Sequence, residues 1–480
     1  MVLLTKSKFM NGLQCPKLLW RANQKTLPEI TLSDEHKFAQ GHEFEKYVKM
    51  LYPDGVDLGD LGFKENVEAT TKAVEDRKLI FEAGFQVGEL FVRSDLLEPV
   101  EDGWNLYEIK SSSEVKPVHY PDLAFQKFVL EKAGLTIKKC FVIYINKEYQ
   151  KNGEIDPNQL VAKEEVTEQV DAVENLEDNS QKYLEIIKRD TVPDYVISQN
   201  CNKPYECPLK GECWGALPEN NVLQITNWRL YWKLFAEGIE DIKDIPTGTK
   251  LSDKDQVIVE TVEKGEPYIS KEHIRHFLNS LHYPLHHFDF ETFDTAVPIY
   301  DKSRPYQKIP FQYSLHIEQE DGSTEHREFL AEGSEDPRPA LLEQLKNDLQ
   351  GEGSIVVFNQ SFEISLLNKL AEDFPEHKEW ITAALGRIVD LATPFKAFHY
   401  YNPEQKGSYS IKKVLPAITG KSYSELEINN GGDASMLFFY SHIQPKLENK
   451  EEIRTNLLKY CGLDTEGMVW IIQKLKEMVK

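Results

Sequence analysis

Asp289 and Glu291 stand two residues apart in Pro284-Leu285-His286-His287-Phe288-Asp289-Phe290-Glu291-Thr292, a short apolar-flanked stretch that predicts a buried strand. Alternate strand residues share a face, so both carboxylates project together, about 7 Å apart along the chain. Two acids in apolar surroundings are costly unless a cation sits between them. A divalent metal meets that need, and a two-metal site for phosphodiester cleavage is the specific chemistry it serves. A solvated pair on an edge strand is the structural alternative. Further acids follow in order. Glu363 comes just after the apolar run Ser354-Ile355-Val356-Val357-Phe358-Asn359, where a strand gives way to the helical pattern Leu366, Leu367, Leu370. Tyr460 and Asp464 are four apart on a late helix and so share a face. Asp390 reads equally as a further ligand or as a cap.

A second constellation lies in the first half. Glu89–Leu97 and Trp104–Ser111 alternate as the arms of a hairpin around a Pro99–Gly103 turn. Folding about Glu101–Asp102 brings Asp95 opposite residues 108 to 110, and Glu108 and Lys110 share a face. Asp, Glu and Lys on one sheet face offer two metal ligands and a cation for water or phosphate; a cross-strand salt-bridge ladder is the structural alternative. Cys201, Cys207 and Cys213 fall within 13 residues among Pro and Gly turn signals. Such a stretch builds no core, and its thiols read as ligands. With Cys15 as a distant fourth they satisfy either zinc or a 4Fe–4S cluster. Their spacing, wider than a zinc ribbon, favours iron–sulfur.

The elements that must position these residues are legible in outline. A helix is expected from Phe38 to Leu51, with His42 and Glu43 in its first turn. Another is expected over 122–133, with Asp122 as N-cap and Gln126 one turn in. Cys140–Ile145 reads as a core strand with Cys140 as packing, and 164–178 as an acidic helix. Residues 217–283 read as a helical connector around Trp228–Phe235. Phe311–Ile317 alternates as the second strand of the C-terminal sheet. Lys412 or Lys413 is a candidate phosphate contact.

The segment from about 284 to 480 resembles the DnaQ-like exonucleases of the RNase H superfamily, which carry Asp-x-Glu on a first strand, Asn-x-x-x-acid (here Asn359 to Glu363) and Tyr-x-x-x-Asp on a late helix. The resemblance implies that Asp289, Glu291, Glu363 and Asp464 bind two metals, Mg2+ or Mn2+, and that Tyr460 orients the attacking water. Most relatives have Asp where this chain has Glu363. Residues 5–216 resemble the PD-(D/E)xK nucleases of the RecB-like branch, including iron–sulfur CRISPR-associated exonucleases. That resemblance implies Asp95, Glu108 and Lys110 as catalytic, with Asp95 and Glu108 also metal ligands. It makes Gln126 the glutamine of the branch's Gln-x-x-x-Tyr motif, which here closes on Leu130, and it makes Cys15, Cys201, Cys207 and Cys213 the cluster ligands. The order of motifs resembles an uncharacterised bacterial and archaeal family that fuses the two.

Length and composition bound these expectations. A chain of 480 residues is too long for one ordinary core. The expected class is α/β: a restriction-endonuclease-like domain with a four-cysteine cluster over 1–216, the connector over 217–283, and an RNase H-like domain over 284–480. With 40% apolar and 28% charged residues the chain falls among soluble globular proteins. No apolar run approaches the roughly 18 residues of a membrane span, and the N-terminus lacks a signal peptide's apolar region, so the cytoplasm is expected. A net charge of −23 excludes broad nucleic-acid coating and confines any such substrate to a local groove. The expected function is a metal-dependent nuclease, a hydrolase acting on DNA, with a 3′–5′ exonuclease C-terminal half. The alternatives are a non-catalytic nucleic-acid-binding scaffold and an RNase. No protein partner is readable.

Overall fold

Runs that alternate or bury continuously become two mixed sheets, and the runs with a 3.6-residue period become helices that cover them. The structure, a computed structural model, describes residues 2–480 and is of the mixed α/β class. It divides into two units, one running to Ala216 and including Thr295–Gln307, the other comprising Leu217–Asp294 and Lys308–Lys480. Among the described residues no helix is long and apolar enough to cross a membrane.

In the first unit the strands are β1 (Leu4–Thr5), β2 (Val56–Asp57), β3 (Ile80–Val87), β4 (Leu90–Val100), β5 (Gly103–Ile109), β6 (Ile137–Ile145) and β7 (Val161–Glu165). They form one sheet in the order β2-β3-β4-β5-β6-β7, with β1 laid parallel on the start of β4 through Leu4↔Leu90. Strands β3, β4 and β5 are an antiparallel meander, and β6 runs parallel to β5 after the helix His119–Lys132. The Val100↔Gly103 pair leaves a two-residue turn. A short turn fixes register, so Leu96↔Tyr107 and Leu97↔Leu106 follow. Leu97, Leu106 and Val142 pack with Leu123, Phe125 and Val129 of that helix; Leu96, Tyr107 and Ile143 pack with Phe44 and Val48. Asp95 and Glu108 have the strand parity of Leu97 and Leu106, which puts them on the face covered by the helix His119–Lys132.

Three expected elements shift here. The helix carrying His42 and Glu43 is Leu32–Met50; the Thr31–Asp34 capping box starts it earlier, so both residues are mid-helix. The helix after the hairpin starts at His119, so Asp122 is inside its first turn and is no N-cap. Residues 164–178 are the end of β7, the helix Thr167–Asp171 and the start of the helix Leu176–Ile187.

The second unit begins with residues expected as a connector. Val222, Ile225, Leu234, Ile242, Ile258 and Val262 share one hydrophobic cluster with Phe398 and Tyr401. The short strand β8 (Tyr268–Ile269) also pairs with a strand of that later region. The main sheet contains β9 (Leu285–Phe293), β10 (Ile309–Glu318), β11 (Thr324–Leu330), β12 (Ile355–Val357) and β13 (Ile388–Asp390); β14 (Tyr400–Tyr401) is the partner of β8. The order is β11-β10-β9-β12-β13, with β9, β12 and β13 parallel and β10 antiparallel to both of its neighbours. Strand β9 is buried on both faces. Phe288 and Phe290 pack with Leu341, Leu345, Leu366 and Leu370 from the helices Pro337–Asp348 and Ser361–Asp373. The helix Lys450–Val479 packs on β9 and β10. A one-residue slip of β9 would put two carboxylates in place of two phenylalanines, each worth about 1.5–3 kcal/mol when buried. The phenylalanines thereby set where the acids point.

Candidate functional site

In the second unit, β9 and the helix Lys450–Val479 bring Asp289, Glu291, Tyr460, Cys461 and Asp464 together. Carboxylate oxygens of Asp289 and Glu291 and the Cys461 sulfur lie within 4.8 Å of one another. Glu291, Tyr460, Cys461 and Asp464 are buried and Asp289 is partly so. The Tyr423 hydroxyl donates to Asp464 Oδ1 at 2.6 Å. Gly431 closes one side: a Cβ there would stand 3.5 Å from Glu291 Oε2 and 3.9 Å from the Tyr460 hydroxyl. Glu363 lies in the first turn of the helix Ser361–Asp373, buried, and its Oε2 has no hydrogen-bond partner.

Burial pushes all four carboxyls up, because it disfavours the charged form. Asp289 rises well above the usual range, with Asp464, Glu291 and Glu363 adding repulsion. Burial and then the Asp464 charge take Glu291 to about 8. Glu363 also reaches about 8, through burial first and the Asp390 charge after it. Asp464 rises to about 6 by burial, against the Tyr423 hydrogen bond and the Lys412 charge. Lys412 also opposes the rise of Asp289 and Glu291, and its ammonium lies 5.1 Å from the Tyr460 ring centre. Lys413 is exposed. Asp289 and Glu291 are thus close enough to share one ion beside the Cys461 sulfur, Glu363 has an orphaned oxygen, and carboxylate oxygens are the donors that hard divalent cations take. Asp390 serves as a cap: Oδ1 accepts from the backbone of Asn359 at 2.8 Å and Ala392 at 2.9 Å, and Oδ2 pairs with Lys396 at 2.9 Å.

In the first unit Asp95, Glu108, Lys110 and Gln126 converge. Lys110 Nζ lies 2.5 Å from Glu108 Oε1 and 2.9 Å from Asp122 Oδ2. Gln126 donates to Glu108 Oε2 at 2.6 Å and to Asp122 Oδ1 at 3.2 Å. The backbone N–H of Ile109 donates to Asp95 Oδ2 at 2.7 Å. Burial and the Glu108 charge raise the Asp95 carboxyl to about 7. Two members lie outside the sequence-derived set. Asp122 completes the acid group, and Lys6 places its ammonium 2.9 Å from Glu108 Oε1, 3.4 Å from Asp95 Oδ1 and 3.9 Å from Asp122 Oδ1. Leu130, where the motif has tyrosine, is fully buried in the core.

Cys15, Cys201, Cys207 and Cys213 line one small pocket together with Lys17, Tyr195 and Leu209. Cys15 sits at the end of the helix Lys6–Gln14. Gln14 Nε2 donates to the carbonyls of Asn200 and Tyr205, at 2.8 Å each, and so ties the late loop to that helix. Lys17 Nζ lies 3.3 Å from Cys213 Sγ. All four thiols are free, so the set can ligate a thiophilic metal or cluster. Among the described residues no three of these sulfurs lie within 4.8 Å of one another. Thiolates about 2.3 Å from one tetrahedral zinc would be closer, at roughly 3.8 Å. Cys140 is core.

A family model described as "Domain of unknown function (DUF2779)" matches residues 286–410, a span that holds Asp289, Glu291, Glu363 and Asp390. The chain is 28% identical over 218 residues to the uncharacterized protein MG366 of Mycoplasma genitalium, covering 40% of this chain and 32% of the relative. Its homolog in Mycoplasma pneumoniae matches with the same identity and coverage. The uncharacterized protein UU173 of Ureaplasma parvum is 31% identical over 221 residues, 40% of this chain and 31% of the relative. The chain thus spans about a third of the length of the curated relatives it matches.

Proposed function

We propose that the chain is a metal-dependent nuclease, a hydrolase whose second unit is a DnaQ-like 3′–5′ exonuclease acting on DNA. The observation that carries this is the close approach of Asp289 and Glu291 on one strand, with Asp464 and Glu363 adding repulsion at Asp289 and Lys412 the cation that opposes it. The strand order, with the acid pair on the central strand and a late helix carrying Tyr460 and Asp464 against it, supports an RNase H-like reading. In it the four acids hold Mg2+ or Mn2+. The metals supply the polarisation of water and phosphate that hydrolysis needs. The chain's own groups do the rest. The Tyr460 hydroxyl is held strongly protonated by burial and by the Asp464 charge, so it remains a donor that can orient water. Lys412 offers the nearby positive charge for a phosphate oxygen.

The first unit supports a RecB-like PD-(D/E)xK reading. An antiparallel meander, a helix and a parallel strand carry Asp95, Glu108, Lys110 and Gln126 into one cluster. The thiol pocket in this reading holds a 4Fe–4S cluster that fastens the late loop to the first helix. Zinc is the alternative.

End-labelled DNA and RNA single strands, incubated with Mn2+ or Mg2+ and with anaerobically purified protein or its Asp289→Asn variant, test the proposal. Stepwise shortening from the 3′ end, lost in the variant, is the expected result. Cleavage of RNA alone would make the protein a ribonuclease. Cleavage that survives the substitution would assign the chemistry to the first unit, and none in any sample would favour a binding scaffold.

A further inference from the structure

Lys6 stands out in the first unit because its position is built. Strand β1 anneals to β4 through Leu4↔Leu90 and Thr5↔Phe91, and Leu4 is fully buried. Thr5 then caps the helix Lys6–Gln14, accepting from the Lys8 N–H at 3.3 Å. The first residue of that helix is thereby aimed at the acids. Its ammonium meets both oxygens of Glu108, at 2.9 and 3.1 Å, together with Asp95 and Asp122. Lys110 is bound on the Glu108 and Asp122 side and leaves Asp95 to Lys6. The space between Asp95 and Glu108, where those two acids would share a metal, is held by a side chain of this protein.

We propose that Lys6 is the resident cation of the Asp95–Glu108–Asp122 site, and that a divalent ion enters only by displacing its ammonium. Lys6 is then a gate that keeps this site closed to metal at low ion concentration while each acid keeps a cationic partner. The inference rests on the metal-binding reading of these acids. Cation exchange explains how three clustered acids can be assembled during folding without metal: an unpaired buried carboxylate is far costlier than a paired one.

The experiment is a Mn2+ titration of the full-length chain, followed by the loss of the free-ion electron paramagnetic resonance signal. Asp289→Asn and Asp464→Asn are included throughout to silence the second unit. Lys6→Met is expected to bind Mn2+ at least about tenfold more tightly than the Lys6 background. Lys6→Arg, which keeps the charge, is expected to bind no more tightly than that background, and adding Asp95→Asn to Lys6→Met should abolish the gain. Thermal melts guard against misfolding: Lys6→Met should melt lower without metal and recover with Mn2+. Equal or weaker binding by Lys6→Met, while the Lys6 background binds measurably, overturns the gate and leaves the metal reading intact. If neither protein binds Mn2+, the metal reading and the gate fall together.

Discussion

Tyr423 and Asp464, 41 residues apart, are joined by a 2.6 Å hydrogen bond inside the second unit's acid cluster. Tyr423 is buried and its hydroxyl is held protonated by burial and by that same carboxylate. Toward Asp464 it therefore donates, and it stabilises that carboxyl in the charged form that a metal requires. Removing the donor in Tyr423→Phe should weaken Mn2+ binding by roughly tenfold, in line with other groups that orient metal ligands. Calorimetric titration checks this; an unchanged affinity would make Tyr423 mere packing.

Proton inventory gives a second test. In the metal-free fold Glu291 and Glu363 keep their protons to about 8, against an ordinary value of 4.5. Between those values the folded state binds more protons than the unfolded one, so stability falls as pH rises through this window and is not lost below it. Melting in EDTA should therefore drop from pH 5 to pH 8, and Mg2+ should remove most of the drop. Metal binding near pH 7 should also release protons, visible as a buffer-dependent heat. A melting temperature whose pH dependence Mg2+ leaves unaltered would refute the charge deficit.

Asp289→Asn separates stability from chemistry. It removes the carboxyl that three neighbouring acids repel. Without metal at pH 8 the variant should melt about 2–4 °C higher for each kcal/mol of repulsion relieved, while 3′-end shortening disappears. A lower melting temperature would mean that the carboxylate is satisfied by the protein alone.

Gly353 makes a backbone prediction. Its φ is +92°, and a Cβ there would fall 2.1 Å from the Pro284 carbonyl oxygen. Gly353→Ala must push the entry to β12 away from the entry to β9, at a cost of about 2 kcal/mol or more. Urea unfolding would register that loss, and cleavage should decline with it because β9 carries Asp289.

The thiol pocket yields a content measurement. Anaerobically purified protein should contain iron with acid-labile sulfide, and Cys207→Ser should lose both. Zinc in their place would assign the pocket to the smaller ion.

What the sequence reveals about these sites depends on how local the positioning is. Asp289 and Glu291 are legible because a period of two within one strand puts them together, and Asp95 meets Glu108 because a two-residue turn sets the register. Lys6 is not legible: its place depends on β1 pairing with a strand 86 residues away. Tyr423 and Cys461 are equally silent. Tyr423 comes from an irregular segment, and Cys461 carries no signal until the late helix meets β9. Asp122 reads as a cap only while the helix is started three residues late, and that late start hides the third acid of the site. Asp390 shows the reverse, an acid in an apolar run whose oxygens are spent on two backbone N–H groups and Lys396.

The helix Lys6–Gln14 has one end in the acid site of the first unit and the other beside Cys15. Nine residues at about 1.5 Å each make a stiff rod of some 13 Å, so the two ends cannot be adjusted independently. A change at the thiols that displaced Cys15 would carry the backbone of Lys6 with it. Under the proposed gate, occupancy of the thiol pocket at one end of the rod would bear on ion preference at the other.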